Sequence, residues 1–323
     1  MKTIIRTTAA LAAIICACVA PIAQAAWPER PVTVVVPFPP GGPTDLVARV
    51  LAKQLADQTG QTFVVENKGG ANGNIGMQYV AAAKPDGYTV LYNTSSIALS
   101  PNLYRNLPFD PVKDFEAVSS TAIIPLVLLA HPSLPVKNVS EFVSYAKAHP
   151  GKLSYGSAGA GNVTHLGALL FLRSVGIDAV HVPYRGSAPA MTDLVGGQVQ
   201  FMTNTLNDSL GFVRDGKLNA LAVSSKARSP QLPDTPTLAE TVVPDFEMGA
   251  WQGMVVPAGT PTDIVNALNT QIRKALQSPA LLKQLQAQGA QPLGSTPSEY
   301  SDYIRAEINR WKDVVKAANV RLD

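Results

Sequence analysis

Beyond residue 25 the 323-residue sequence contains no cysteine; Cys16 and Cys18 are the full complement. Both lie in a segment marked for removal. Lys2 and Arg6 precede an apolar run over residues 9–20, and Ala23-Gln24-Ala25 supplies a small-x-small cleavage site, so residues 1–25 read as a secretory signal peptide. The apolar run is shorter than the roughly 20 residues that span a bilayer. A mature chain starting near Ala26 has no disulfide, no thiolate chemistry and no zinc site built on sulfur.

Other absences narrow the function further. His131, His149, His165 and His181 show no paired spacing and the acidic residues are dispersed, so no metal site is expected. The formal charge of +3 falls to +1 once Lys2 and Arg6 are removed, and no basic block occurs. That excludes a long electrostatic footprint for nucleic acid or for an anionic membrane.

What is present is alternation of strand and helix patterns. The β-branched run Val32 to Val36 leads through a turn into an amphipathic segment, Leu46 to Ala56, closed by Gly60. Strand Thr62 to Glu66, a helix through Met77 to Ala83 and strand Tyr88 to Tyr92 complete a βαβαβ unit, which requires a parallel sheet with helices on both faces. After the Pro-rich passage from Pro101 to Pro111, a second such unit runs from strand Ala122 to Ala130 through strand Ala220 to Ser224. Strand Phe246 to Val256 and three helices, Ile264 to Leu276, Leu281 to Gln288 and Pro297 to Ala318, end the chain. Thr296-Pro297-Ser298-Glu299 marks the last helix with a capping-box start, and Tyr300, Ile304, Ile308 and Trp311 form its apolar side. With strands 122–130 and 246–256 as crossovers, the expected lobes are residues 26–123 with 250–323, and residues 124–249, hinged over a cleft.

Two Gly-rich turns carry the chemistry. Phe38-Pro39-Pro40-Gly41-Gly42-Pro43-Thr44-Asp45 follows the first strand, with Thr44 or Asp45 as a helix cap; Gly156-Ser157-Ala158-Gly159-Ala160-Gly161-Asn162 opens a second helix. Each stands at the carboxyl end of a strand, where open α/β sheets bind ligands, and a helix start favours an anion. Either turn is equally readable as a tight connection. Gly156-x-x-Gly159-x-Gly161 resembles a dinucleotide fingerprint, but the acidic partner expected about 20 residues on is missing, so no cofactor is expected. Ser157 with His165 suggests a secreted α/β hydrolase, yet Tyr155 stands where a nucleophile elbow needs glycine. Arg185 is either a carboxylate clamp or a surface residue. Thr44, Ser95, Ser96, Ser157, Thr164, Ser187 and Asn204 are neutral donors that serve as caps singly or as a pocket together.

The sequence resembles the Bug family of periplasmic solute-binding proteins, the extracytoplasmic receptors of tripartite tricarboxylate transporters. The matching stretches include Trp27-Pro28-Glu29-Arg30-Pro31-Val32, Val36-Pro37-Phe38-Pro39-Pro40-Gly41-Gly42, Val65-Glu66-Asn67-Lys68-Gly69-Gly70-Ala71-Asn72-Gly73, Pro85-Asp86-Gly87-Tyr88, Tyr155-Gly156-Ser157-Ala158-Gly159 and Val182-Pro183-Tyr184-Arg185-Gly186. The resemblance implies a type II periplasmic-binding fold with two lobes and a central cleft. It implies that a ligand carboxylate is held by Phe38, Pro39, Pro40, Gly41, Gly42 and Thr44 with Ser157, Ala158, Gly159, Gly161, Thr164 and His165. Asn93, Ser95, Tyr184, Arg185 and Asn204 would shape the remainder. Implied partners are a dicarboxylate, tricarboxylate or aromatic acid, integral-membrane transporter subunits, and a sensor protein, with no catalytic residue.

One position departs from the family. Many relatives have an aspartate where this chain has Asn204, and a neutral amide supplies no charge for a ligand ammonium. The expectation is a carboxylate without an amine.

Overall fold

The β-branched run becomes β1, Val32–Val36, and α1, Pro43–Thr59, follows it until Gly60 ends the helix at φ +74°. The computed structural model describes residues 27–318 and 320–322, so the expected signal peptide lies outside the described residues. Next come β2, Phe63–Asn67, a 3-10 turn at Ala71–Gly73, α2, Asn74–Ala81, and β3, Thr89–Thr94. β1 lies between β2 and β3, parallel to both, as the βαβαβ pattern requires.

Helix α3, Ser96–Leu103, leads to the long strand β4, Phe115–Ala130. The second unit comprises α4, Val139–Ala148, β5, Ser154–Ser157, α5, Val163–Val175, β6, Val180–Pro183, α6, Ser187–Val195, β7, Phe201–Thr205, α7, Leu206–Arg214, and β8, Asn219–Val223. The short α8, Leu238–Thr241, precedes β9, Gly249–Pro257. The chain then forms α9, Thr262–Ala275, α10, Pro279–Ala287, β10, Gln291–Pro292, and α11, Pro297–Ala318.

Several elements differ from the sequence reading. Strand 122–130 begins seven residues earlier, at Phe115, because β4 runs the length of β9 before leaving it. The strand expected from Phe246 begins at Gly249. Helix α3 forms despite Pro101 inside it; Ile97, Ala98, Leu99 and Leu103 are all buried, and tertiary packing outweighs the proline penalty. Helices α7 and α8 were likewise hidden, one behind a strand-like polar run and the other among prolines.

The strand order is β2-β1-β3-β9-β4-β7-β5-β6, with β10 and β8 also paired to β4. Residues 115–125 of β4 pair with β9, and residues 126–130 pair with β7. The switch at Pro125–Leu126 sets the geometry of the site. β3 runs antiparallel to β9, which runs antiparallel to β4, so β3 delivers its carboxyl end toward that switch. β7 runs antiparallel to β4 with Thr205 opposite Leu126, so its carboxyl end arrives there from the other side. β1 and β2 follow β3, and β5 and β6 follow β7. The carboxyl edges of two parallel strand sets therefore face each other.

Helix α11 closes the outer face of the first sheet. Its capping box forms as expected, with Glu299 N–H donating to the Thr296 hydroxyl and Thr296 N–H donating to the Glu299 carboxylate. Tyr300 and Ile304 pack with Val35, Leu91 and Trp251. The indoles of Trp251 and Trp311 both donate to the buried Glu307 carboxylate, at 3.0 and 3.1 Å. Burying each such aromatic body stabilises the fold by about 1.5–3 kcal/mol.

Candidate functional site

The β1–α1 turn is poor in donors by composition. Pro37, Pro39, Pro40 and Pro43 have no N–H, and the Gly41 N–H donates to Asp45 Oδ2 at 2.8 Å. Asp45 is buried and also receives Arg49 Nε and Asn67 Nδ2, each at 2.9 Å. Asn67 further donates to the Phe38 carbonyl at 3.0 Å. Asp45 thus braces the turn from behind, and Gly42, not Thr44 or Asp45, is the helix cap. Gly41 takes φ +79°, a region a side chain would strain. The amides of Gly42 and Thr44, at the positive end of α1, remain the donors suited to an anion. Pro39, Pro40 and Gly41 are exposed on the rim, with Phe38, Gly42 and Thr44 half-buried.

The β5–α5 turn is built differently. Its amides bond inward: Ala158 N–H to the Thr164 hydroxyl at 2.9 Å, Gly159 N–H to the Ser157 hydroxyl at 3.2 Å and Gly161 N–H to His165 Nδ1 at 3.1 Å. Ser157, Thr164 and His165 fold back to satisfy these amides, so they are not free for an anion. These three residues hold the shape of the turn. Asn162 caps α5 through Thr164 N–H.

His165 and His181 stack with centroids 3.7 Å apart and planes within 7°. Burial, and then the neighbouring His181 ring, push the His165 pKa down to about 3; burial brings His181 to about 4. Both rings are neutral at physiological pH. Ser157 and His165 do not form the pair a hydrolase would need: Ser157 Oγ lies 2.7 Å from His181 Nε2 instead. A base whose pKa is held near 4 is a weak proton acceptor at neutral pH, so the serine and histidine pair serves the turn rather than chemistry.

The remaining named residues divide. Asn93 is fully buried, and its amide exchanges hydrogen bonds with the Tyr300 hydroxyl at 2.8 and 3.1 Å. Ser95 starts α3, with its N–H donated to the Trp251 carbonyl at 3.0 Å. Tyr184 donates its hydroxyl to Asp193 at 2.6 Å, while its backbone N–H joins the Ser157 carbonyl at 3.1 Å. Arg185 is exposed on the β6–α6 turn. Asn204 is buried and paired with Ser187. All of these except Tyr184 and Arg185 carry buried side chains on the strand-end segments. The sequence reading took Asp45 only as a helix cap and His181 only as a rejected metal ligand, so it missed their roles in bracing the turns, and it did not single out the Thr205-Leu206-Asn207-Asp208 run after β7. That run's polar character directly after a strand was the available signal.

Two facing strand edges, each with a helix-start turn, define a ligand-binding protein of the periplasmic-binding-protein fold. The chain belongs to the tripartite tricarboxylate transporter receptor family: the family model, described as "Tripartite tricarboxylate transporter family receptor", matches residues 47–320. It is 38% identical over 305 residues to protein BugT of Bordetella pertussis, covering 94% of each chain. An R. palustris protein solved with adipate is 40% identical with a TM-score of 0.85, covering 91% of this chain and 99% of that one. MatC of Rhodopseudomonas palustris, solved with bound malate, is 37% identical with a TM-score of 0.78, covering 90% and 100%. The family is one of solute receptors, not enzymes.

Proposed function

We propose that this receptor works in the periplasm, captures a small carboxylate at the facing strand edges and hands it to integral-membrane transporter subunits. The lobes are residues 26–123 with 250–323, and residues 124–249, and they close over the ligand. Binding favours closure only through contacts that the open form lacks. The Phe38 to Thr44 turn supplies the donors for the carboxylate, and the Ser157 to His165 turn supplies the opposing wall. Asn93, Ser95, Tyr184, Arg185 and Asn204 bound the remaining space. A sensor protein is a second partner for the closed form.

The observation that carries this reading is the convergence of both sets of strand ends on Pro125–Leu126, with a braced helix-start turn on each side. Relatives solved with adipate and with malate support the ligand class. A thermal-shift screen of mono-, di- and tricarboxylates tests it, because a ligand that binds only the folded state raises the melting temperature by mass action. At least one such acid should raise it by several degrees at millimolar concentration. A flat response to all of them, alongside a shift with uncharged solutes, would reject the carboxylate assignment.

A further inference from the structure

The turn at the end of β7 holds polar groups that the protein leaves unpaired. Thr205 is 6% exposed and its hydroxyl has no hydrogen-bond partner. Neither the amide nitrogen nor the amide oxygen of Asn207 is paired, although both are shielded from solvent. Native interiors rarely leave one such group unsatisfied, and here three atoms share one strand-to-helix turn. The adjoining residue, Asp208 in the first turn of α7, is half-buried and lies beside Ser187. Ser187 opens α6 and also exchanges hydrogen bonds with Asn204 at 2.9 and 3.1 Å. Thr205 stands opposite Leu126, so the whole cluster sits at the strand edge that faces the β1–α1 turn.

We propose that Asp208, Asn207 and Thr205 form a subsite for the end of the ligand remote from its anchored carboxylate, and that this end carries a hydrogen-bond donor, a hydroxyl or an ammonium. The inference rests on the carboxylate reading of the cleft. An ionised carboxyl only accepts hydrogen bonds, and a donor opposite it gains a charge-assisted bond. A second bare carboxylate there would face like charge in a poorly solvated site. Asn204 alone pointed to a ligand without an amine; Asp208, one helical turn further on, supplies the charge that Asn204 lacks. Asn207 offers both a donor and an acceptor, and Thr205 a hydroxyl, so a small polar group gains several partners at once.

Calorimetry on the mature protein tests this with matched acids of four, five and six carbons: the α,ω-diacid, the ω-hydroxy acid and the ω-amino acid of each length. At the best-bound length the hydroxy or amino acid should bind at least tenfold tighter than the diacid, and Asp208→Asn should shrink that ratio to below threefold. Should Asp208→Asn melt early, Asn207→Ala, which leaves the charge in place, reads the same series and should weaken the donor-ended acid at least threefold while sparing the diacid. A diacid bound as tightly as its donor-ended counterparts, or a ratio that the variants leave unchanged, overturns the subsite and leaves the carboxylate reading standing. Failure of every acid to bind removes the carboxylate reading and the subsite with it.

Discussion

Asp45 accepts the Gly41 N–H at 2.8 Å across the first turn of α1, and this contact sets the path of the β1–α1 turn. Burial alone would raise the Asp45 pKa, but hydrogen bonds from Arg49, Gly41 and Asn67 hold the carboxyl below its ordinary range. The carboxylate is therefore a structural anion inside a turn proposed to receive another anion. Its charge is answered by Arg49 and two N–H donors, which leaves the outward amides available.

Replacing Asp45 with alanine should free the Gly41 N–H and the Asn67 amide, each then short of a partner. Stability should fall by about 1–3 kcal/mol, read from chemical denaturation. Ligand affinity should fall at least tenfold in calorimetry, since the turn loses its brace. Unchanged affinity with reduced stability would separate the brace from the site.

The stacked histidines give a pH dependence with a defined sign. His165 and His181 have folded pKa values near 3 and 4, against 6.5 for an unperturbed histidine. Between about pH 6.5 and 4 the unfolded chain binds protons that the folded chain refuses, so stability is full above 6.5 and is lost as pH falls through that window. Protonated His165 Nδ1 could no longer accept the Gly161 N–H, so the β5–α5 turn should loosen with it. Melting temperature recorded from pH 8 to pH 4 should decline, and a His165→Gln, His181→Gln double variant should flatten the decline. A profile unaffected by the double variant would assign the loss to other groups.

Gly253 on β9 is required by Tyr300. A Cβ at that position would stand 2.1 Å from the Tyr300 hydroxyl oxygen, whose bonds with Asn93 fix it in place. Gly253→Ala should destabilise the protein by about 1–3 kcal/mol or more through overpacking, seen as a lowered melting temperature. Tyr300→Phe combined with Gly253→Ala should not recover the loss, because the Tyr300 ring carbon at 2.3 Å and the Ser119 carbonyl oxygen at 2.7 Å would still overlap the added Cβ, and Asn93 would lose its hydroxyl partner.

Much of the fold was legible because periodicity and punctuation agree with tertiary packing. Val32–Val36, the Gly60 stop and the Thr296–Glu299 start each carry their own local cause. Helix α3 was not legible, since Pro101 argues against a helix and only its burial explains one. The two turns could be located from sequence, but their hydrogen bonding could not. Whether an amide faces a ligand or its own side chains depends on Asp45, Thr164 and His165, which lie four to six residues further along the chain. The partner of Ser157 was equally hidden, because His181 reaches it from a neighbouring strand.

A crystal structure with a carboxylate drawn from the calorimetric series tests the central claim most directly. The account predicts the carboxylate within hydrogen-bond reach, direct or through one water, of the Gly42 and Thr44 amides, with the Ser157 to Thr164 turn opposite it. A carboxylate bound away from both turns would contradict the account.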